Sequence, residues 1–258
     1  MRHLSKSQIG MYRRCSFAWS CRYVRNLKIP PSSPLLLGSS FDTAINLNYN
    51  HKIAKGKDEK VSVCQDCFAE EFDNGKGNVL WEESEKPEEL KDTGVKTVEA
   101  FHKEICVSVE PKAVQIRDKI LFENVDYCLS VVIDLVDVNG IVIDNKYTKK
   151  SWGAGKEFQE LDPLVYSVWK TKGNTEESKF RFDIGIATKT PKTQQIPRTI
   201  SFDEKMGFLK YVAYINDNIE RDTERGVFLP NPTNMMCSKR YCGFWKICEE
   251  EWNIKIKD

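Results

Sequence analysis

Three residues of this chain carry the clearest chemistry: Asp134, Asp144 and Lys146, all within the run from Val131 to Lys146. That run reads as two apolar segments joined by Asn139-Gly140. An Asn-Gly pair between alternating hydrophobics is a strong hairpin signal, so the two segments should pair as strands and bring the carboxylates near one another. Asp144 and Lys146 are two residues apart and share a face of their strand. Two carboxylates at close range require a cation between them, and a neighbouring lysine offers positive charge to a developing anion. The set suits a divalent metal that activates water against a phosphodiester. The plainer alternative is acidic residues lining a solvated hairpin edge.

A second group lies at Cys237, Cys242 and Cys248, three cysteines within twelve residues. Three thiolates are one short of the four that a structural zinc or a cubane iron-sulfur cluster takes. Buried free thiols, a zinc site and a cluster are all compatible with the spacing. Cys64 and Cys67 have the look of a metal knuckle, but they fall in a helical pattern with no second pair, which favours packing in a core. Cys21, Cys106 and Cys128 read as small buried hydrophobes.

With these residues in place, the chain resembles the PD-(D/E)XK nucleases of the RecB-like type, including the CRISPR-associated RecB-like exonucleases that carry an iron-sulfur cluster. Their signature is one Asp followed by Asp/Glu-x-Lys, matched here by Asp134 and Asp144-Asn145-Lys146. The resemblance extends to Leu4-Ser5-Lys6-Ser7-Gln8-Ile9-Gly10-Met11-Tyr12-Arg13-Arg14-Cys15, to Leu37-Gly38-Ser39-Ser40-Phe41, and to the cysteine-rich end. It implies a restriction-endonuclease-like α/β fold, a mixed sheet core flanked by helices. It also implies Mg²⁺ or Mn²⁺ held by Asp134 and Asp144 with the Asn145 backbone carbonyl, and a [4Fe-4S] cluster, or alternatively Zn, on Cys15, Cys237, Cys242 and Cys248. The four- and five-residue gaps between the last three cysteines depart from the usual spacing, which opens with two. Where many relatives carry a metal-binding histidine, this chain has Asp42, a harder ligand that suits the same ions; a carboxylate favoured near a helix start is the other reading. Of the family's Gln-x-x-x-Tyr motif the chain keeps Tyr166, a candidate for substrate contact or for core packing, while Asp162 replaces the glutamine and would cap a helix that has Pro163 at its first position.

Composition restricts the partners. A net charge of +1 argues against an indiscriminate polycation, so contact with nucleic acid must come from local basic surface such as Lys146, Lys149, Lys150 and Lys156. No apolar stretch reaches the length of a membrane span and no signal peptide is evident, so an intracellular (cytoplasmic) protein without membrane contact is expected, in the host cell if viral. His3, His51 and His102 match no catalytic position and read as surface residues.

The positioning elements follow from periodicity. Helices are expected over 5–26, from Gly38 over 39–54, over 59–74, 86–107, 156–170 and 203–224. Strands are expected over 113–122, 126–136, 141–147 and 180–189, with a short one at 199–202. Residues 1–258 are expected to form a single nuclease domain, mainly helical to 110, a catalytic sheet core over 111–202, and a helix and cluster-binding end over 203–258. The expected function is a metal-dependent DNase, an exonuclease acting on DNA ends or single strands in recombination, repair or DNA processing. The alternative is a catalytically weak nucleic-acid-binding or assembly subunit, with protein partners of a recombination or CRISPR-type system unidentified. A chain of this length without a helicase suits a stand-alone or virus-encoded form.

Overall fold

A computed structural model describes residues 1–172 and 174–257. In chain order the elements are β1 (Arg2–Ser5), α1 (Lys6–Arg14), α2 (Ser16–Tyr23), α3 (Ser33–Lys55), α4 (Val61–Gly75), α5 (Pro87–Glu104), β2 (Pro111–Leu121), β3 (Tyr127–Asp137), β4 (Val142–Thr148), α6 (Asp162–Thr171), β5 (Ser178–Ile186), β6 (Lys192–Ile200), α7 (Phe202–Arg225) and α8 (Trp245–Trp252). The strands form one six-stranded mixed sheet of order β1-β3-β4-β5-β6, with β2 also paired to β3. This is the α/β sheet with flanking helices that the sequence predicts. No helix among the described residues is long and apolar enough to cross a membrane.

Backbone contacts divide the chain into two compact units. The first holds residues 1–29, 119–130 and 203–258. In it β1 runs parallel to the start of β3, Arg2 opposite Tyr127 through Ser5 opposite Ser130. The expected helix over 5–26 is in fact a strand and two helices. Ser5 caps α1 by accepting the Gln8 N–H at 3.3 Å, and Cys15, in extended conformation, breaks the helix and caps α2 through its sulfur. The short helix α8 and the strand β1 left no readable periodicity at their lengths.

The second unit holds residues 30–118 and 131–202. Its core is aromatic: Phe41, Tyr49, Phe68, Phe72 and Phe101 are fully buried under the strand residues Leu135 and Ile143. The hairpin forms as expected, β3 and β4 antiparallel with Leu135 opposite Ile143 and Val136 opposite Val142. Gly140 takes φ +74° at the turn, and the Asp137 side chain accepts the Ile141 N–H at 2.7 Å. Strand β5 lies parallel to β4 and β6 antiparallel to β5. As an edge strand β6 tolerates Pro197, and it runs well beyond the expected 199–202 because an edge needs little of the apolar patterning that marks a central strand.

Helix α3 begins at Ser33, five residues before Gly38, because Pro34 presets φ for a first turn. The expected helix over 156–170 splits in the same way into a 3₁₀ turn at Lys156–Phe158 and α6, which starts at Asp162-Pro163. Cys64 and Cys67 sit on α4 in the aromatic core, and Cys21, Cys106 and Cys128 are fully buried, as expected of small apolar side chains. His102 is a correction: it is buried, with Nε2 2.9 Å from the Glu59 carbonyl.

Gly94 on α5 leaves room for a ring of α4: a Cβ there would lie 2.1 Å from the Phe68 ring. Helix propensity alone would make Gly94→Ala stabilising by about 1 kcal/mol. Overpacking a buried ring costs about 1–3 kcal/mol, so the variant should unfold at lower urea concentration than the parent; a higher midpoint would mean that the two helices separate without cost.

Candidate active site

The site is built on the hairpin of the second unit. Asp134, half-buried on β3, accepts the Asn145 backbone N–H on Oδ2 at 3.2 Å, which ties its carboxylate across to β4. Its other oxygen faces the Gln115 amide at 3.5 Å. Gln115 has φ +52° in the middle of β2, an uncommon conformation for a non-glycine residue in a strand, and this local reversal accompanies a side chain turned to Asp134. Nothing in the sequence around Gln115 signals it.

One strand over, Asp144 is 1% exposed and forms an ion pair with Lys146 on the same face of β4. The Lys146 ammonium also donates to Asp162 Oδ1 at 3.0 Å and stands 5.9 Å from the centre of the Phe182 ring. Burial opposes the charge on Lys146, but the carboxylates of Asp144 and Asp162, the hydrogen bond to Asp144 and the charge of Asp134 outweigh it and hold the pKa well above the ordinary lysine value. Asp162 is the first residue of α6, and the cap position before it is held by Leu161. The Asp162 carboxylate reaches to β4 instead, which makes it a site residue rather than the helix cap expected from sequence.

Tyr166 lies one turn further along α6, buried at 4% exposure and 6.0 Å from Phe180. Burial first, then the charges of Asp144, Asp162 and Asp134 and a hydrogen bond to Asp144, raise its pKa well above the usual phenol value. It therefore packs in the core and touches the site at once. Alternation along β4 turns the Asn145 side chain to the face opposite Asp144 and Lys146, so what Asn145 can offer a metal is its backbone carbonyl. Asp42 is half-buried on α3 beside Phe41, whose ring lies 5.5 Å from that of Tyr147, the residue after Lys146.

The oxygen donors of Asp134 and Asp144 are those a hard divalent cation takes. Three carboxylates around one ammonium leave an excess of negative charge that such an ion would neutralise. Even so, among the described residues no group of three or more His, Cys, Asp or Glu side chains is arranged to hold a metal ion. The carboxylates are engaged with Lys146 and the Asn145 N–H rather than with a common centre.

The same holds for the cysteines of the first unit, although they are brought together. Cys15, Cys237, Cys242 and Cys248 pack in one cluster with Phe17, Phe244 and Ile256. Cys15, Cys237 and Cys242 line a cavity of about 100 Å³. Burial, followed by the charges of Cys15, Cys237 and Cys242, pushes the Cys248 thiol up to about 11. Four thiols in one apolar cluster, three of them lining its cavity, match the donor set of a tetrathiolate site.

A family model described as the PD-(D/E)XK nuclease superfamily matches residues 3–249. Among curated proteins, none matches this chain. Among solved structures, the chain is similar to a crystal structure described as a "Putative exonuclease" from Eubacterium rectale, with a TM-score of 0.58 and 12% identity over 98% of this chain and 90% of that one. At that identity the likeness speaks for the fold alone.

Lys146→Met keeps the bulk of the side chain and removes the counter-charge of Asp144. Leaving a buried carboxylate without its partner costs about 3–5 kcal/mol, less here because Lys146 is 26% exposed. In EDTA at pH 7 the variant should therefore unfold at clearly lower urea. Because the folded-state pKa of Lys146 is raised, its contribution is complete below the unfolded value of about 10.4 and is lost as pH rises through the folded value. The urea midpoints of the two proteins should stay apart up to about pH 10.4 and converge only above it; equal midpoints at pH 7 would remove the ion pair from the stability of the sheet.

Proposed function

The chain belongs to the PD-(D/E)XK nuclease superfamily, and on that premise we propose that it is a divalent-metal-dependent deoxyribonuclease, an exonuclease acting on DNA ends or single strands. The observation that carries this reading is the gathering of Asp134, Asp144 and Lys146 on one hairpin, with the Lys146 ammonium between Asp144 and Asp162. Nucleases of this superfamily use divalent metals. Here Asp134, Asp144 and the Asn145 carbonyl would hold Mg²⁺ or Mn²⁺, with Asp42 as a further ligand. When bound, the ion would supply Lewis acidity and a more acidic water.

The protein side chains do the rest. Lys146 orients the attacking water by hydrogen bonding and offsets the negative charge that grows on the phosphate as the phosphorus–oxygen bond to the leaving group breaks. Asp162 and Tyr166 are positioning residues, one holding the Lys146 ammonium and the other the Asp144 carboxylate. The whole chain, residues 1–258, would act as one nuclease domain.

Purified protein incubated with end-labelled single- and double-stranded DNA should release nucleotides with Mn²⁺ or Mg²⁺ and none with EDTA. Asp134→Ala, Asp144→Ala and Lys146→Ala should each lower the rate about a hundredfold or more. Asp42→Asn should shift half-maximal activity to higher Mn²⁺. Digestion by Asp144→Ala at the parent rate would remove this site from consideration, and an unchanged metal titration in Asp42→Asn would leave Asp42 a helix carboxylate only.

For the thiol pocket we propose a [4Fe-4S] cluster on Cys15, Cys237, Cys242 and Cys248. Soft thiolates select iron-sulfur clusters or zinc, and a site joining residues more than two hundred apart would stabilise the first unit well beyond a local contact. Anaerobically purified protein should be brown, contain iron and sulfide, and lose colour and thermal stability together on Cys15→Ala or Cys248→Ala but not on Cys64→Ala. Stoichiometric zinc without iron would make this a zinc site; full iron content in Cys15→Ala would sever that residue from it.

A further inference from the structure

Beyond Lys146, β4 ends at Thr148 and the chain enters the segment 149–159, whose residues Lys149, Lys150, Trp152, Lys156 and Gln159 line an open pocket of about 560 Å³. Three lysines and no acidic side chain stand among the described residues that line it. A run of surface lysines would by itself be an ordinary solvated face. What distinguishes this one is the aromatic surface set among the cations. Trp152 is anchored by two hydrogen bonds to Gln194, its N–H donating at 2.9 Å and its carbonyl accepting at 3.0 Å. The Lys156 ammonium lies 5.5 Å from the Trp152 ring centre. Next to the pocket, Phe158 is 65% exposed, with the Arg198 guanidinium 4.8 Å from its ring centre.

One buried side chain lies between the pocket and the hairpin site. The Phe182 ring lies 4.8 Å from Trp152 and 5.9 Å from the Lys146 ammonium. Two of the lysines have acidic neighbours outside the lining, Lys156 in an ion pair with Glu160 and Lys149 at 3.7 Å from Glu85. Those neighbours offset part of the positive charge, and Lys150 has no ion pair among the described residues.

We propose that this pocket binds single-stranded DNA, with backbone phosphates on Lys149, Lys150 and Lys156 and bases stacked on Trp152 and Phe158, so that one strand is led towards Asp134 and Asp144. The proposal rests on the reading of the hairpin as a DNA nuclease site. Cations supply the salt-dependent part of such binding, and stacking supplies the preference for unpaired bases, which alone offer a free ring face.

The test is fluorescence anisotropy in EDTA with a labelled twenty-nucleotide oligothymidylate and a blunt duplex, so that turnover plays no part. Phe158→Ala and the double variant Lys149→Ala/Lys150→Ala change exposed side chains and should fold as the parent does. Each should weaken single-strand binding about tenfold. The double variant should also lower the log–log salt slope by about 1.4, the value for two lost phosphate contacts on a single strand. The duplex should bind more weakly than the oligonucleotide, and Phe158→Ala should leave it unchanged. Parent affinity in both variants, or equal losses on duplex and single strand, overturns the proposal. Binding that follows the expected pattern in a protein with no metal-dependent hydrolysis upholds the pocket and overturns the nuclease reading of the hairpin instead.

Discussion

Much of the second unit is organised around one buried charge problem. Asp144 and Asp162 lie almost wholly out of water, with Asp134 half-buried nearby, and the Lys146 ammonium pairs with the first two. An isolated carboxylate in such a setting would cost several kcal/mol. The fold meets this cost with three backbone and side-chain donors from two elements: the Asn145 N–H from β4, the Lys146 ammonium from the same strand, and the Tyr166 hydroxyl from α6. Each of these depends on a different piece of geometry. Register between β3 and β4 sets the first, the two-residue period of β4 the second, and the start of α6 at Pro163 the third. A shift of one residue in the hairpin would turn Asp144 and Lys146 together to the other face, away from Asp134, Asp162 and Tyr166, so the charge cluster depends on the register.

Those dependencies explain what could be read from the chain before its structure. The hairpin was legible because its signals are local: alternating hydrophobicity, Asn139-Gly140, and a two-residue spacing between Asp144 and Lys146. Tyr166 was legible only through the resemblance, which left open whether it faces the site or the core; it does both. Asp162 was visible as a residue but not as a partner of Lys146, since a separation of sixteen positions gives no periodicity that places a helix start against a strand face. Gln115 was invisible, because its contact with Asp134 goes with a positive φ inside a strand that no sequence pattern encodes. The elements followed the same rule. Long helices with clean periodicity, such as α5 and α7, appeared close to where they were expected. The break at Cys15, the edge strand β6 and the short α8 did not, since each is decided by contacts distant in sequence.

The break at Cys15 shows how a local departure from regularity can serve a distant constraint. Had α1 and α2 formed one helix, the residue between them would have had helical backbone angles; Cys15 still bonds its N–H to the Met11 carbonyl at 2.9 Å, but its φ and ψ leave the helix. Extended backbone instead lets the Cys15 sulfur sit at the start of α2, where it faces the Ala18 N–H at 3.4 Å and lies in one cluster with Cys237, Cys242 and Cys248. A thiol at a helix N-terminus is also placed where negative charge is favoured. The first unit thus joins segments from both ends of the chain around sulfur, and the second joins a hairpin and a helix around carboxylate. In the second, the carboxylates that could serve a metal already face protein donors, so binding of an ion there would exchange existing partners rather than create order where none exists. That exchange is easiest at Asp144, whose partner Lys146 keeps a second carboxylate in Asp162 and so need not be left without one when the Asp144 oxygens turn to a cation.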